Sequence, residues 1–211
     1  MSHYDELETR SADAREAAQL EELRKQVAQV SAAPGSLSPE EIGSLTDLAK
    51  LPVLRKSQLA EWQAAQRPFG GIRASNVAQI FQSPGPIYEP GGVTRDWWRI
   101  GRFLHACGIG TSDIVQNCFG YHLTPAGHIF ENGARAVGAV VVPAGTGQTD
   151  LQVRAAADLG VTAYAGTPDY LKIILEKADE MGETLGITKA VVGGGALPLA
   201  RDYMLETERT L

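Results

Sequence analysis

From residue 77 to residue 192 the chain alternates short apolar runs with amphipathic stretches, and few folds accept that alternation. The runs cover 77–81, 114–119, 139–142, 161–165 and 190–192. They are rich in β-branched residues and nearly continuous in hydrophobicity, the pattern of strands covered on both faces. Helical signals lie between them. Trp97, Ile100, Leu104 and Cys107 recur at helical spacing. Thr149 precedes Gln152 by three residues as a capping box, and Thr167-Pro168 pairs an N-cap with a proline at the first helical position. Strand–helix alternation of this kind predicts a parallel sheet with right-handed crossovers. Ligands of such sheets bind beyond the carboxyl ends of the strands, here loops 82–93, 120–125, 143–148, 166–167 and 193–198.

The expected fold class is therefore α/β: a helical N-terminal segment, 1–75, followed by a mostly parallel sheet with flanking helices, 76–211. In the first segment Leu20, Leu23, Val27 and Val30 share one helix face, with Glu21 and Lys25 as an i,i+4 pair on another. Ser38-Pro39-Glu40-Glu41 combines an N-cap, a proline and a capping glutamate. A further helix is expected after Ser57, with Leu59 and Trp62 inward.

Composition excludes several functions. A net charge of −6 argues against nucleic acid or an anionic membrane as partner. No apolar run approaches the roughly 18 residues of a membrane helix, and the polar, acidic start MSHYDELETR is no signal peptide. Cys107 and Cys118 lack metal-ligand spacing and read as two buried free thiols in a reducing cytoplasm. No metal site is expected.

The loops are more informative. "FQSPGPIYEPGG" at 81–92 follows an apolar run and precedes a helical pattern near Thr94, the position of a phosphate loop. It has no lysine, so it is not a Walker loop, and Pro84, Pro86 and Pro90 each withhold an N–H donor. A rigid turn is expected. "GGGALP" at 193–198 offers close backbone approach without a dinucleotide fingerprint. "GYHLTP" at 120–125 is the most aromatic strand end, with Tyr121 and His122 placed to line a pocket for a small aromatic molecule. His105 and His128 read as structural. No Ser/His/Asp set and no carboxylate pair emerges, so no catalytic residue is named.

Taken in order, several stretches resemble the phenylacetate-CoA ligases of the adenylate-forming superfamily. They are "YDELETRSADARE" at 4–16, "LAKLPVLRKSQL" at 48–59, "FQSPGP" at 81–86 and "GIGTSDIVQNCFGYHLT" at 108–124. "GAVVVPAGTGQTDLQ" at 138–152, "GTPDYL" at 166–171 and "VVGGGALP" at 191–198 continue the series. No single motif is specific; the ordered set is.

The resemblance implies an acid–thiol ligase using ATP, Mg²⁺ and coenzyme A on an aromatic or related carboxylic acid. It places nucleotide contacts at Ser83, Gly85, Tyr88 and Glu89, and at Gly193, Gly194, Gly195, Ala196 and Leu197. It places the acid at Phe119, Tyr121, His122, Leu123 and Thr124. The chain departs from the family pattern at three points. The phosphate loop has Ser83 and then prolines instead of several hydroxyls and a lysine. Gly195 and Ala196 stand where the family has Glu-Pro. Thr124-Pro125-Ala126-Gly127 replaces Phe-Thr-Gly-Gly. The chain also reads as the N-terminal portion of such an enzyme, an incomplete large domain. On that reading it is inactive by itself, holds no cofactor tightly, and self-associates or binds a missing C-terminal half. Two alternatives stand beside it: a non-catalytic binding or assembly protein with a degenerate phosphate loop, and a half-enzyme completed by a second chain.

Overall fold

The computed structural model describes residues 3–30 and 37–196. The chain divides into two compact units, Ser2–Val93 and Thr94–Leu211.

The first unit opens on α1 (Ala12–Val30). Val27 is buried and Leu20 and Leu23 are half-buried, so the expected face does point inward. Lys25 meets Glu21 at 2.8 Å on the exposed side. The capping signal at Ser38 is present, with the Glu41 carboxylate accepting from the Ser38 N–H at 2.7 Å. It starts only a 3₁₀ turn, Pro39–Glu41. A second signal follows at once: Asp47 accepts from the Gly43 and Ser44 N–H groups at 2.8 Å each and opens the 3₁₀ turn Leu45–Lys50. Two caps so close together divide the segment into short turns. The helix α2 (Lys56–Ala65) follows, with Leu59 and Trp62 half-buried and Gln63 buried.

The largest departure from expectation lies at 77–93. The run at 77–81 is not a strand of the parallel sheet, and 82–93 is not a loop leading into a helix. β1 (Val77–Ser83) and β2 (Ile87–Gly92) form an antiparallel hairpin turning at 84–86. The Pro-Gly-Pro turn stops extended structure, and the β-prone pair Ile87-Tyr88 restarts it. Ile80 is more than half exposed, so this is not a strand covered on both faces. Gln63 of α2 clamps the hairpin, donating to the Tyr88 carbonyl and accepting from the Tyr88 N–H, each at 2.8 Å.

In the second unit the helix expected near Thr94 begins only at Gly101, as α3 (Gly101–Ala106). Asp96 and Arg99 sit at φ 53° and 58°, and the Asp96 carboxylate accepts from the Gly101 N–H at 2.9 Å. Leu104 is buried as expected, but Cys107 is exposed where the helix ends. The remaining elements are β3 (Ile114–Asn117), α4 (Ala126–Ala136), β4 (Val140–Val142), α5 (Thr149–Leu159), β5 (Ala163–Gly166), α6 (Pro168–Met181) and β6 (Lys189–Val192). The four strands form one parallel sheet in the order β4-β3-β5-β6.

Strand alternation sorts the core onto two faces. Val115, Ala163, Ala165 and Val191 pack with Leu104, Ala134 and Phe130 on one face. Tyr164 packs with Ala156, Leu171, Leu175 and Ile187 on the other. At the amino edge Asp113 binds the Lys189 ammonium at 2.8 and 2.9 Å, the Thr162 hydroxyl at 2.9 Å and the Gly110 N–H at 2.9 Å. One buried carboxylate thereby joins the starts of β3, β5 and β6.

The Thr167 cap of α6 is present, its hydroxyl accepting from the Tyr170 N–H. The Thr149 cap of α5 is not: Gln148 occupies the N-cap, at φ 50°. The reason is that Gln152 spends its side chain on loop carbonyls instead of a capping box. Among the described residues no helix is long and apolar enough to cross a membrane.

Candidate functional site

The four described strands of the second unit run the same way, so loops 117–125, 143–148, 166–167 and 193–196 gather at one edge. Asn117, fully buried at the end of β3, organises that edge. Its amide donates to the Tyr121 hydroxyl at 2.8 Å and the Gly127 carbonyl at 2.7 Å, and its side-chain oxygen accepts from the Phe119 N–H at 3.2 Å. Its main-chain carbonyl accepts from the Gly145 N–H at 2.9 Å. One residue thus fixes two loops.

Loop 119–127 is closed on itself. Gly127 N–H donates to Gly120 O at 2.9 Å, Thr124 N–H to His122 O at 2.8 Å, and the Thr124 hydroxyl to Gly120 O at 3.3 Å. Gly127 is required here: a Cβ would lie 2.8 Å from the Tyr121 ring and 2.9 Å from Gly120 O. Phe119 is buried and stacks on Phe130 with centroids 4.2 Å apart. Tyr121 is half-buried, and His128 meets its ring edge-on at 5.2 Å. Burial, reinforced by the Glu131 carboxylate, pushes the Tyr121 hydroxyl above its ordinary range, so it stays protonated near neutrality. His122 and Leu123 are exposed, and Leu123 holds φ 63°.

The glycine segment comes to the same edge. Gly193 N–H donates to Gly166 O at 3.1 Å, and a Cβ at Gly193 would reach Phe119 at 4.0 Å. Gly194 holds φ 76°, and a Cβ at Gly195 would stand 3.3 Å from Pro168. Gly193, Gly194 and Gly195 therefore run close against Phe119 and the turn into α6. Ala196 follows, exposed. Leu197 lies outside the described residues.

The other expected nucleotide contacts belong to the first unit. The Ser83 hydroxyl, nearly buried, donates to the Glu89 carboxylate. Both main-chain groups of Tyr88 are held by Gln63. Gly85 lies in the hairpin turn, where a Cβ would stand 2.8 Å from the Ile87 side chain.

Sequence reasoning passed over Asn117 and Gln116, and it assigned Gln152 to a capping box that does not form. A partial signal was present: two amides interrupt the apolar run 114–119, which marks a need for buried hydrogen bonding without saying which partners it serves. Cys118 is buried beside Gln152, and burial pushes its thiol up to about 12, so it is no nucleophile at neutral pH. Among the described residues no group of three or more His, Cys, Asp or Glu side chains is placed to hold a metal ion. The strand-end edge offers aromatic faces, close glycine backbone and neutral hydrogen-bonding groups. That chemistry suits binding and positioning more than proton transfer.

No family model matches the chain. Curated relatives do. It is 31% identical over 153 residues to a phenylacetate-coenzyme A ligase of Aromatoleum evansii, covering 68% of this chain and 34% of the relative. It is 28% identical over 214 residues to the phenylacetate-coenzyme A ligase of Thermus thermophilus, covering 92% and 47%. Among solved structures, an open conformation of 2-hydroxyisobutyryl-CoA ligase in complex with 2-HIB-AMP and CoA superposes with a TM-score of 0.78 at 22% identity, covering 95% of this chain and 49% of that one. The same ligase in the postadenylation state gives a TM-score of 0.79. The chain spans between a third and a half of the length of these curated relatives. It belongs to the phenylacetate-coenzyme A ligase family and has the fold of the adenylate-forming CoA ligases over the part of their length that it spans.

Proposed function

We propose that the chain supplies the acid-holding part of an adenylate-forming acid–thiol ligase acting on an aromatic or related carboxylic acid. In that reaction a carboxylate oxygen attacks the α-phosphorus of ATP, and the bond to pyrophosphate breaks. The coenzyme A sulfur then attacks the acyl carbon, and AMP leaves. Mg²⁺ supplies charge neutralisation at the phosphates. This chain's own share is positioning. Phe119, backed by Phe130, offers an aromatic wall, and the Tyr121 hydroxyl is held by Asn117. Gly193, Gly194 and Gly195 allow a ligand close to the backbone. The observation that carries this reading is the meeting of Phe119 and the glycine segment at one strand-end edge in a chain of this family.

The residues of the hairpin fit a triphosphate poorly. Ser83 is engaged with Glu89, and three prolines withhold donors. Glu89 also carries a charge of the wrong sign; at ~4 Å and an effective dielectric near 20 a like-charge contact costs on the order of 4 kcal/mol before screening. This favours a second reading, a binding protein of ligase ancestry. Calorimetry separates the two. Mg-ATP is expected to bind with a dissociation constant weaker than about 1 mM, while phenylacetate binding weakens on Phe119→Ala. Micromolar Mg-ATP affinity that is lost on Gly85→Val overturns the weak-nucleotide part. Phenylacetate affinity that ignores Phe119 overturns the assignment of the acid.

A further inference from the structure

The outer face of α5 carries two side-by-side ridges. Leu151, Ala155 and Leu159 recur at i, i+4 and i+8 along one, and Asp150, Arg154 and Asp158 along the other. The opposite side of the helix is already used, with Gln152, Val153 and Ala156 buried in the unit. The apolar ridge faces water: Leu151 is 59% exposed and Leu159 53%. It also adjoins the edge of the sheet. β4 is an outermost described strand, and its Val142 and the following Ala144 wall an open groove together with Leu151 and Ala155. Val140, two residues before Val142 and so on the same face of β4, is exposed as well. A single exposed leucine means little, but a contiguous apolar strip across a helix and a sheet edge marks a contact surface.

The charged ridge identifies the occupant. Asp150 is used within the chain, by the Lys177 ammonium of α6 at 3.8 Å. Arg154 and Asp158 are exposed and have no ion-pair partner among the described residues. Within one helix they stand in the weaker order, cation before anion. They lie two residues before and two residues after Ala156. A two-fold axis at the level of Ala156, perpendicular to the helix, therefore brings Arg154 of each copy level with Asp158 of the other. The same operation meshes the apolar ridges. At 1.5 Å of rise per residue, each Leu159 falls about 3 Å from the levels of the partner's Ala155 and the partner's Leu151, into the gap between them. A parallel pairing would set arginine against arginine and aspartate against aspartate. One antiparallel register satisfies both ridges at once.

We propose that the outer face of α5 is the contact of a homodimer, in which two copies of the helix pack antiparallel about Ala156 and two Arg154–Asp158 ion pairs flank the leucine ridges. Three turns of helix bury less than the ~1,000 Å² of a standard stable interface, so the dimer is weak, with a dissociation constant on the order of 100 µM. The contact is independent of the ligase reading, since none of its residues belongs to the acid edge at 119–124.

The test is sedimentation equilibrium of the 211-residue chain, as wild type and as two charge reversals, Arg154→Asp and Asp158→Arg. The wild-type chain is expected to dimerise, and less so as salt rises. Each reversal sets like charges together at both contacts and should weaken its own homodimer by at least about tenfold. Mixing the two reversals restores one cation and one anion at each contact, and should recover association to within about threefold of wild type. Leu159→Ser changes no charge and is expected to abolish the dimer, which gives an answer by a separate route if a reversal does not fold. A monomer at millimolar concentration overturns the proposal and leaves the ridge to another segment or protein. A dimer indifferent to both reversals, a mixture that does not recover association, or new amide protection at 140–142 in place of 150–159 assigns the contact to another surface and overturns the helix pairing.

Discussion

The hairpin of the first unit and the strand-end edge of the second have much the same sequence pattern: an apolar run, then glycine, proline, serine or threonine, and aromatics. They satisfy their backbone in opposite ways. In the hairpin, β1 and β2 meet each other's main-chain groups, and one outside side chain, Gln63, completes the arrangement. At the strand-end edge the loops have no partner strand, and buried amides, Asn117 and Gln152, take that place. A ladder leaves its own side chains free to vary. A loop held by one buried amide depends on that residue, and it can present closely spaced backbone to a ligand.

Asn117→Ala is the most severe way to break this contrast. It empties a fully buried position, leaves the Phe119 N–H without its acceptor, and takes a donor from the Gly127 carbonyl and the half-buried Tyr121 hydroxyl. At ~1–3 kcal/mol for each buried group left unmatched, a loss of about 3 kcal/mol or more is expected in urea unfolding of the second unit. Loss of phenylacetate binding should accompany it. A cost below ~1 kcal/mol would mean that loop 119–127 holds itself through its own turns.

Gln63→Ala is the matching change in the first unit. Two Tyr88 main-chain groups lose their partner, but the hairpin ladder survives, so about 2 kcal/mol is expected, read by amide exchange across β1 and β2. Ser83→Ala should cost less, within ~1 kcal/mol, because Glu89 is only half-buried and can turn to water. Equal costs for Ser83 and Asn117 would erase the distinction between ladder and amide.

The same contrast explains how much was legible in the sequence. The parallel strands at 114–117, 140–142, 163–166 and 189–192 were visible because strands of a parallel sheet are rich in apolar and β-branched residues, a mark that survives Gln116-Asn117 in β3, Lys189 in β6 and the exposed Val140 of the edge strand β4. The hairpin escaped because β1 has the same residue types with different surroundings. Ile80 looks like core and is exposed, and only pairing decides between an edge and a centre. Tyr121 and Phe119 were legible as strand-end aromatics. Asn117 was not, since its role lies in the partners it reaches at 121 and 127, which spacing alone does not supply. The Thr149 capping box misled for a related reason: Gln152 had a stronger use elsewhere, on three loop carbonyls.

Acid provides the mildest probe, because each unit holds a lysine-paired aspartate below its ordinary range. In the first unit the Lys50 ammonium at 2.6 Å, with the Ser44 and Gly43 N–H groups, holds Asp47 at about 2. In the second, burial pushes Asp113 up, but Lys189, the Gly110 N–H and the Thr162 hydroxyl outweigh it, and the net shift is downward. A depressed carboxylate stabilises fully above its unfolded value of ~3.9, and the contribution fades as pH falls through the folded value. For Asp47 the window therefore runs from about pH 4 down to about 2. Removing the cation raises the folded value and moves the loss toward neutral pH. Lys189→Met should raise the acid midpoint of amides in β3, β5 and β6 while leaving β1 and β2 unmoved, and Lys50→Met should do the reverse around 43–50. The Lys189 effect is expected to be the larger, since Asp113 is buried and bridges three strands, whereas the Lys50 side chain is mostly exposed and its pairing is screened by salt. If either variant moved the midpoints of both units together, the two would be unfolding as one, and the division at Thr94 would not describe their stability.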